Sequence, residues 1–123
     1  MKKTLFTIIL LIIVGTAFSA QAAVQITANW SANSESDLAG YNIYRSTTSG
    51  SGYVKINSSI IAKTSSPQYV DNISGSVETT YYYVVTAVDT SGNESSYSSE
   101  KSTHVDTMAP SAPSGLTITV QIQ

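Results

Sequence analysis

The sequence of 123 residues contains no cysteine, one histidine, one tryptophan and three prolines. Without cysteine there are no disulfide staples and no lipid attachment through a thiol, so the core must hold by itself. The lone histidine, His104, has no cysteine near it, and the carboxylates Glu35, Asp37, Asp71, Asp89 and Glu94 are scattered. A nucleophile, a base and a group to orient it cannot be assembled from that set, so the reading is non-enzymatic with no cofactor. Asp89, Ser91, Asn93 and Glu94 in "DTSGNE" offer oxygen ligands for a divalent cation. They lack the spacing of a calcium hand, and Gly92-Asn93 reads as a tight turn between strands, so no metal is expected.

One long hydrophobic run exists, "LFTIILLIIV" from Leu5 to Val14, after Lys2 and Lys3 and before "SAQA". A basic start, a short apolar stretch and an Ala-x-Ala site at Ala20 and Ala22 describe a secretory signal peptide over 1–22. The run is well short of the roughly 20 residues a spanning helix requires, so no stable membrane span is expected after cleavage. The expected location is secreted or cell-surface, the periplasm being the other exported compartment. Losing Lys2 and Lys3 leaves four basic residues against eight acidic ones. That acidic balance disfavours nucleic acid and anionic membranes as partners. What remains is the length of one small domain.

No helical period follows. "VQITANW" alternates Val24, Ile26, Ala28 and Trp30 against Gln25, Thr27 and Asn29. "YNIYR", "YVKIN", "QYVDNI", "TTYYYVVTAVD" and "YSSEKSTHV" come after it, separated by the turn-rich "SANSESDLAG", "TTSGSG", "TSSP" and "TSGNES". Short strands with turn chemistry about every 8–12 residues predict an all-β sandwich or barrel. An interior of tyrosine, valine and isoleucine suits pleated surfaces.

"ITANWSANSESDLAGYNIYRS", "TTYYYVVTAVDTSGNESSYS" and the linker "APSAPSGL" together resemble a bacterial fibronectin type III domain, an immunoglobulin-like two-sheet sandwich. The resemblance covers Val24 to Asp106. It implies that Trp30, Tyr41, Ile43, Tyr83, Val85 and Ala87 fill the core, with Tyr81 as a corner tyrosine bonded back to nearby backbone. Lys101 departs from the pattern, because the last strand usually carries an apolar residue there; its stem is expected to snorkel to the rim, or the register slips by one. The integrin-binding tripeptide of animal members is replaced by "SGN", so that activity does not carry over. Tyr44, Tyr82 and Tyr97 fall on the outward phase, where tyrosines contact proteins or sugars when clustered and are otherwise ordinary sheet residues.

Aligned by these motifs, the chain after the signal begins at the family's second strand. A first-strand-like segment stands at the other end: after the linker 107–115, the stretch 116–123 alternates Leu116, Ile118, Val120 and Ile122 against Thr117, Thr119, Gln121 and Gln123. Burying each of the four apolar residues would contribute about 1.5–3 kcal/mol as an upper estimate. Together they rival the whole stability of a typical domain, about 5–15 kcal/mol. The segment is therefore expected to be a strand donated to a groove beside Val24, Ile26, Ala28 and Trp30. Three arrangements follow. The tail enters the next copy head to tail and builds an open filament. It returns to its own groove across a taut linker, nine residues reaching about 30 Å against a strand of about 23 Å. Or it opens the next module of a larger extracellular protein or enzyme, in which this domain is a protein-binding, carbohydrate-binding or spacer unit. The expected partner is the protein itself or another extracellular protein.

Overall fold

The structure, a computed structural model of the chain, describes residues 23–75 and 77–122. The expected signal peptide at 1–22 lies outside the described residues.

The described residues form seven strands and no helix: β1 (Ala23–Asn29), β2 (Leu38–Ser46), β3 (Val54–Lys55), β4 (Ile61–Ala62), β5 (Gln68–Ser74), β6 (Glu78–Asp89) and β7 (Lys101–Asp106). They form two sheets. One holds β1 and β5; the other runs β3-β2-β6-β7, with β4 also paired to β2. Every pairing is antiparallel. The chain is thus an all-β two-sheet sandwich, the architecture its alternating strands imply.

The inner faces meet in a core of Ile43, Ile73, Tyr81, Tyr83 and Val105. Tyr41 and Ile43 are the most deeply buried, at 1% and 0% exposure. Both face inward from β2, which is paired on both edges. Glycine is required at Gly40: a Cβ there would lie 2.3 Å from the Ile61 carbonyl oxygen. Only a residue without a side chain lets β4 approach this closely, and the β2–β6 register shifts at the same place.

An ionic contact ties the sheets together through the core. Asp71 of β5 accepts from Arg45 Nη1 of β2 at 2.7 Å and from the Tyr83 hydroxyl of β6 at 2.8 Å. The Arg45 guanidinium also lies 5.2 Å from the centre of the Tyr81 ring. A carboxylate on an inward phase needs such partners, because unpaired it would be costly to bury. Burial, with the bond to Asp71, pushes the Tyr83 phenol well above its ordinary range. The bond implied for the Tyr81 hydroxyl as a corner residue is absent among the described residues; the Arg45 contact is what the structure shows at that ring. Instead the Tyr41 hydroxyl accepts from the Asn33 backbone N–H at 2.7 Å.

The stretch "YSSEKSTHV" is strand only from Lys101 onward. Before it, serine hydroxyls stand in for the ladder. Val85 N–H donates to Ser98 Oγ at 3.0 Å and Ala87 N–H to Ser95 Oγ at 2.9 Å. Ser95 and Ser98 N–H donate back to the Ala87 and Val85 carbonyls. "DTSGNE" is the expected turn: Asp89 accepts from the N–H groups of Ser91 and Asn93, and Gly92 has φ of 85°.

Candidate functional site: an open groove beside the first strand

β1 pairs with β5 along one edge only. Trp30 N–H donates to the Pro67 carbonyl on the β5 side. Antiparallel alternation then aims Ala28, Ile26 and Val24 the same way and turns the N–H and C=O groups of Gln25, Thr27 and Asn29 to the other edge. Among the described residues no strand takes those groups.

Along that edge lies an open groove of about 830 Å³, walled by β1 on one side and the 95–103 stretch on the other. Ile26, Ala28, Trp30, Val85 and Ala87 supply its apolar surface. It continues past Val24 and Gln25, opposite Thr103 to Asp106, as a shallower trough of about 410 Å³. The groove therefore runs the length of β1 between the open edges of the two sheets.

Val24, Ile26 and Ala28 of β1, and Trp30 just after it, line the two parts of this groove and are half-buried. Trp30 packs edge-on against Tyr41, with ring centres 5.4 Å apart. Its Nε1 is buried with no hydrogen-bond partner among the described residues. Of the six residues expected to fill the core, Tyr41, Ile43, Tyr81 and Tyr83 are buried, whereas Val85 and Ala87 are only half-buried. The reason is local: Val85 and Ala87 form part of the groove surface, and nothing among the described residues lies over them. Lys101 has the same explanation. It stands opposite Tyr83 on the inward phase but is exposed, because the groove opens there. Its register needs no slip.

The tail differs from its expected form in the single chain. Leu116 to Ile122 is not a strand, and Leu116, Ile118, Val120 and Ile122 are 87%, 84%, 82% and 96% exposed. A strand exists only through its partner, and the tail pairs with none among the described residues. Its point of departure is well defined. Thr107 N–H donates to the Val77 carbonyl at 2.8 Å, its hydroxyl donates to the Gly75 carbonyl at 2.9 Å, and Val77 N–H donates to that hydroxyl at 2.9 Å. The last strand is thereby pinned to the turn between β5 and β6.

The outward tyrosines divide. Tyr44 and Tyr97 meet with ring centres 5.2 Å apart, and Tyr53, which sequence reasoning passed over, joins at 5.1 Å from Tyr97. Tyr82 belongs elsewhere, opposite Ser46 and Ser102. Glu94 accepts from Thr86, Tyr44 and Asn42. Glu100 accepts from Tyr53, Gly50 and Ser49. These bonds hold both carboxyls below the usual glutamate range, Thr86 contributing most at Glu94 and Tyr53 at Glu100. The Tyr44 phenol is raised, by burial first and then by Glu94. Val84, opposite Tyr44, is only 2% exposed although it lies on the outward phase. In this cluster the Tyr44 and Tyr53 hydroxyls are already engaged by Glu94 and Glu100.

His104 rests against Thr80, its Nδ1 3.2 Å from the hydroxyl, and among the described residues no carboxylate hydrogen-bonds to it. No group of three or more metal-ligating side chains occurs among the described residues.

A solved structure described as a Fn3-like protein from Clostridium thermocellum is similar to this chain, with 37% sequence identity over 62% of this chain and 73% of that one, at a TM-score of 0.44. No protein-family model matches the chain, and no curated protein matches it.

Proposed function

We propose that the chain is an exported, non-catalytic interaction module of fibronectin type III-like fold that works by strand donation. Its groove beside β1 receives an extended apolar segment, and its own tail supplies such a segment to the next subunit, head to tail. The observation that carries the reading is the pairing of opposites in one chain. An apolar groove lies along an edge with unclaimed backbone groups, and four alternating apolar side chains stand more than four-fifths exposed. A segment laid against Gln25, Thr27 and Asn29 would engage their N–H and C=O groups while its inward side chains covered Val85, Ala87 and Trp30. Edges of this kind are normally covered, blunted or used. An open head-to-tail contact of this type builds chains rather than closed rings.

The test is light-scattering mass on protein starting at Ala23, beside a version ending at Gly115. Species far above monomer mass that disappear on truncation support donation between subunits. A monomer destabilised by truncation would mean that the tail closes its own domain. A monomer indifferent to truncation would remove both and leave a binding or spacer module of a larger protein.

A further inference from the structure

We propose that the donated tail has a fixed polarity: it enters the groove of a second copy at the Trp30 end, runs antiparallel to β1, and leaves at the Val24 end. The inference rests on the strand-donation reading and specifies its partner and direction.

Three features of the chain point the same way. The first is where the tail starts. Val24 and Gln25 share the lower trough with Val105 and Asp106, so the tail departs beside the beginning of β1. Thr107 is fixed to the Gly75 and Val77 carbonyls at that pole.

The second is direction. β7 runs from the mouth of the groove toward this pole. A tail that continues past Asp106 without reversing meets a copy stacked below at that copy's Trp30 end. It then travels toward Val24, opposite to β1. Pro110 and Pro113 in the linker favour a stiff, extended path. Filling its own groove would demand a reversal. A short return would run parallel to β1. An antiparallel return would first climb the length of β1, about 23 Å, on a nine-residue linker that spans about 30 Å at most.

The third is pairing. Each strand pair in the fold is antiparallel, and antiparallel ladders are slightly more stable per residue. The alternation sets the register. Leu116, Ile118, Val120 and Ile122 lie beside Trp30, Ala28, Ile26 and Val24 in that order. Thr117, Thr119 and Gln121 then stand opposite Asn29, Thr27 and Gln25 on the outer face.

The chain has no cysteine, so paired substitutions report only the designed contact. Directly opposed strand positions fall within the Cα separation a disulfide accepts, about 4.4–6.8 Å. Four variants of the full chain, expressed for export and mildly oxidised, separate the outcomes on a non-reducing gel. Gln25→Cys with Gln121→Cys, and Asn29→Cys with Thr117→Cys, are the antiparallel pairs. Gln25→Cys with Thr117→Cys, and Asn29→Cys with Gln121→Cys, are the parallel ones. The expected result is a ladder of covalent multimers from both antiparallel pairs, at least tenfold more cross-linked than the parallel pairs. Cross-linking by the parallel pairs instead overturns the polarity while leaving an occupied groove. Antiparallel cross-links confined to the monomer band overturn the second copy as partner. Cross-linking by no pair overturns the strand-donation reading itself.

Discussion

β1 and β2 carry the same kind of alternation, yet they end in different states. Tyr41 and Ile43 of β2 are sealed at 1% and 0% exposure, while the inward Val24, Ile26 and Ala28 of β1 remain half-buried. The apolar side chains are comparable; the neighbours are not. β2 has β6 along one edge and β3 and β4 along the other, whereas β1 has, among the described residues, β5 alone. Burial of a strand face is therefore decided by what lies beside the strand as well as beneath it. An unpaired edge exposes part of its own inward face.

A second contrast lies within the open flank. Between Glu94 and Lys101 the β6 edge is closed by serine hydroxyls, which take the N–H groups of Val85 and Ala87 and leave no regular ladder for a stranger to join. The β1 edge has no such device among the described residues. One edge is blunted and the other is left able to pair.

The largest expected effect falls on the sealed side. Ile43→Ala should destabilise the domain by about 2–5 kcal/mol in chemical denaturation, whether or not the tail is present. Ile26→Ala makes the complementary measurement. It should cost clearly less than Ile43→Ala in protein truncated at Gly115, and should approach that cost in the full-length protein once the groove is filled. Equal costs for Ile26→Ala with and without the tail would abolish the distinction between the two strands.

A smaller effect is expected at the junction that seals β2. Gly40→Ala places a methyl group against the Ile61 carbonyl and the Ile60 side chain, so β4 must move. The expected loss is about 1–3 kcal/mol, read as a lower denaturation midpoint. An unchanged midpoint would show that β4 contributes little to the closed edge.

The smallest effect concerns pH. Hydrogen bonds led by Thr86 hold the Glu94 carboxyl below its unfolded value, so its stabilisation is complete above the ordinary glutamate range, about pH 4.3. It is lost as pH falls through the lower folded value. Glu94→Gln should therefore flatten the fall in denaturation midpoint between neutral and acid pH. A slope identical to wild type would remove Glu94 from the acid response.

The long strands were legible because their alternation is uninterrupted: β1, β5 and β6 stand where "VQITANW", "QYVDNI" and "TTYYYVVTAVD" place them, while β2 contains "YNIYR" but begins at Leu38, inside the stretch read as turn. β4 was not, since Ile61–Ala62 is too short to show a period. "YSSE" looked like strand because backbone and hydroxyl partners cannot be told apart in a sequence. The groove-lining residues of β1 could be named in advance, but the half-exposure of Val85 and Ala87 could not, because it depends on a neighbour that alternation does not reveal. The Arg45–Asp71–Tyr83 contact was missed although a signal existed. Asp71 stands between Tyr69 and Ile73 on an inward phase, and a charge there demands a partner.

The most direct test is amide hydrogen exchange on β1, comparing the full-length protein with the version ending at Gly115 at equal concentration. If the groove holds a donated tail, the N–H groups of Gln25, Thr27 and Asn29 exchange slowly in the full-length protein and quickly after truncation, while those of Ile26 and Ala28, turned toward β5, change little. Rapid exchange at Gln25, Thr27 and Asn29 in both proteins would contradict the account, because an edge that pairs with nothing has no tail in it.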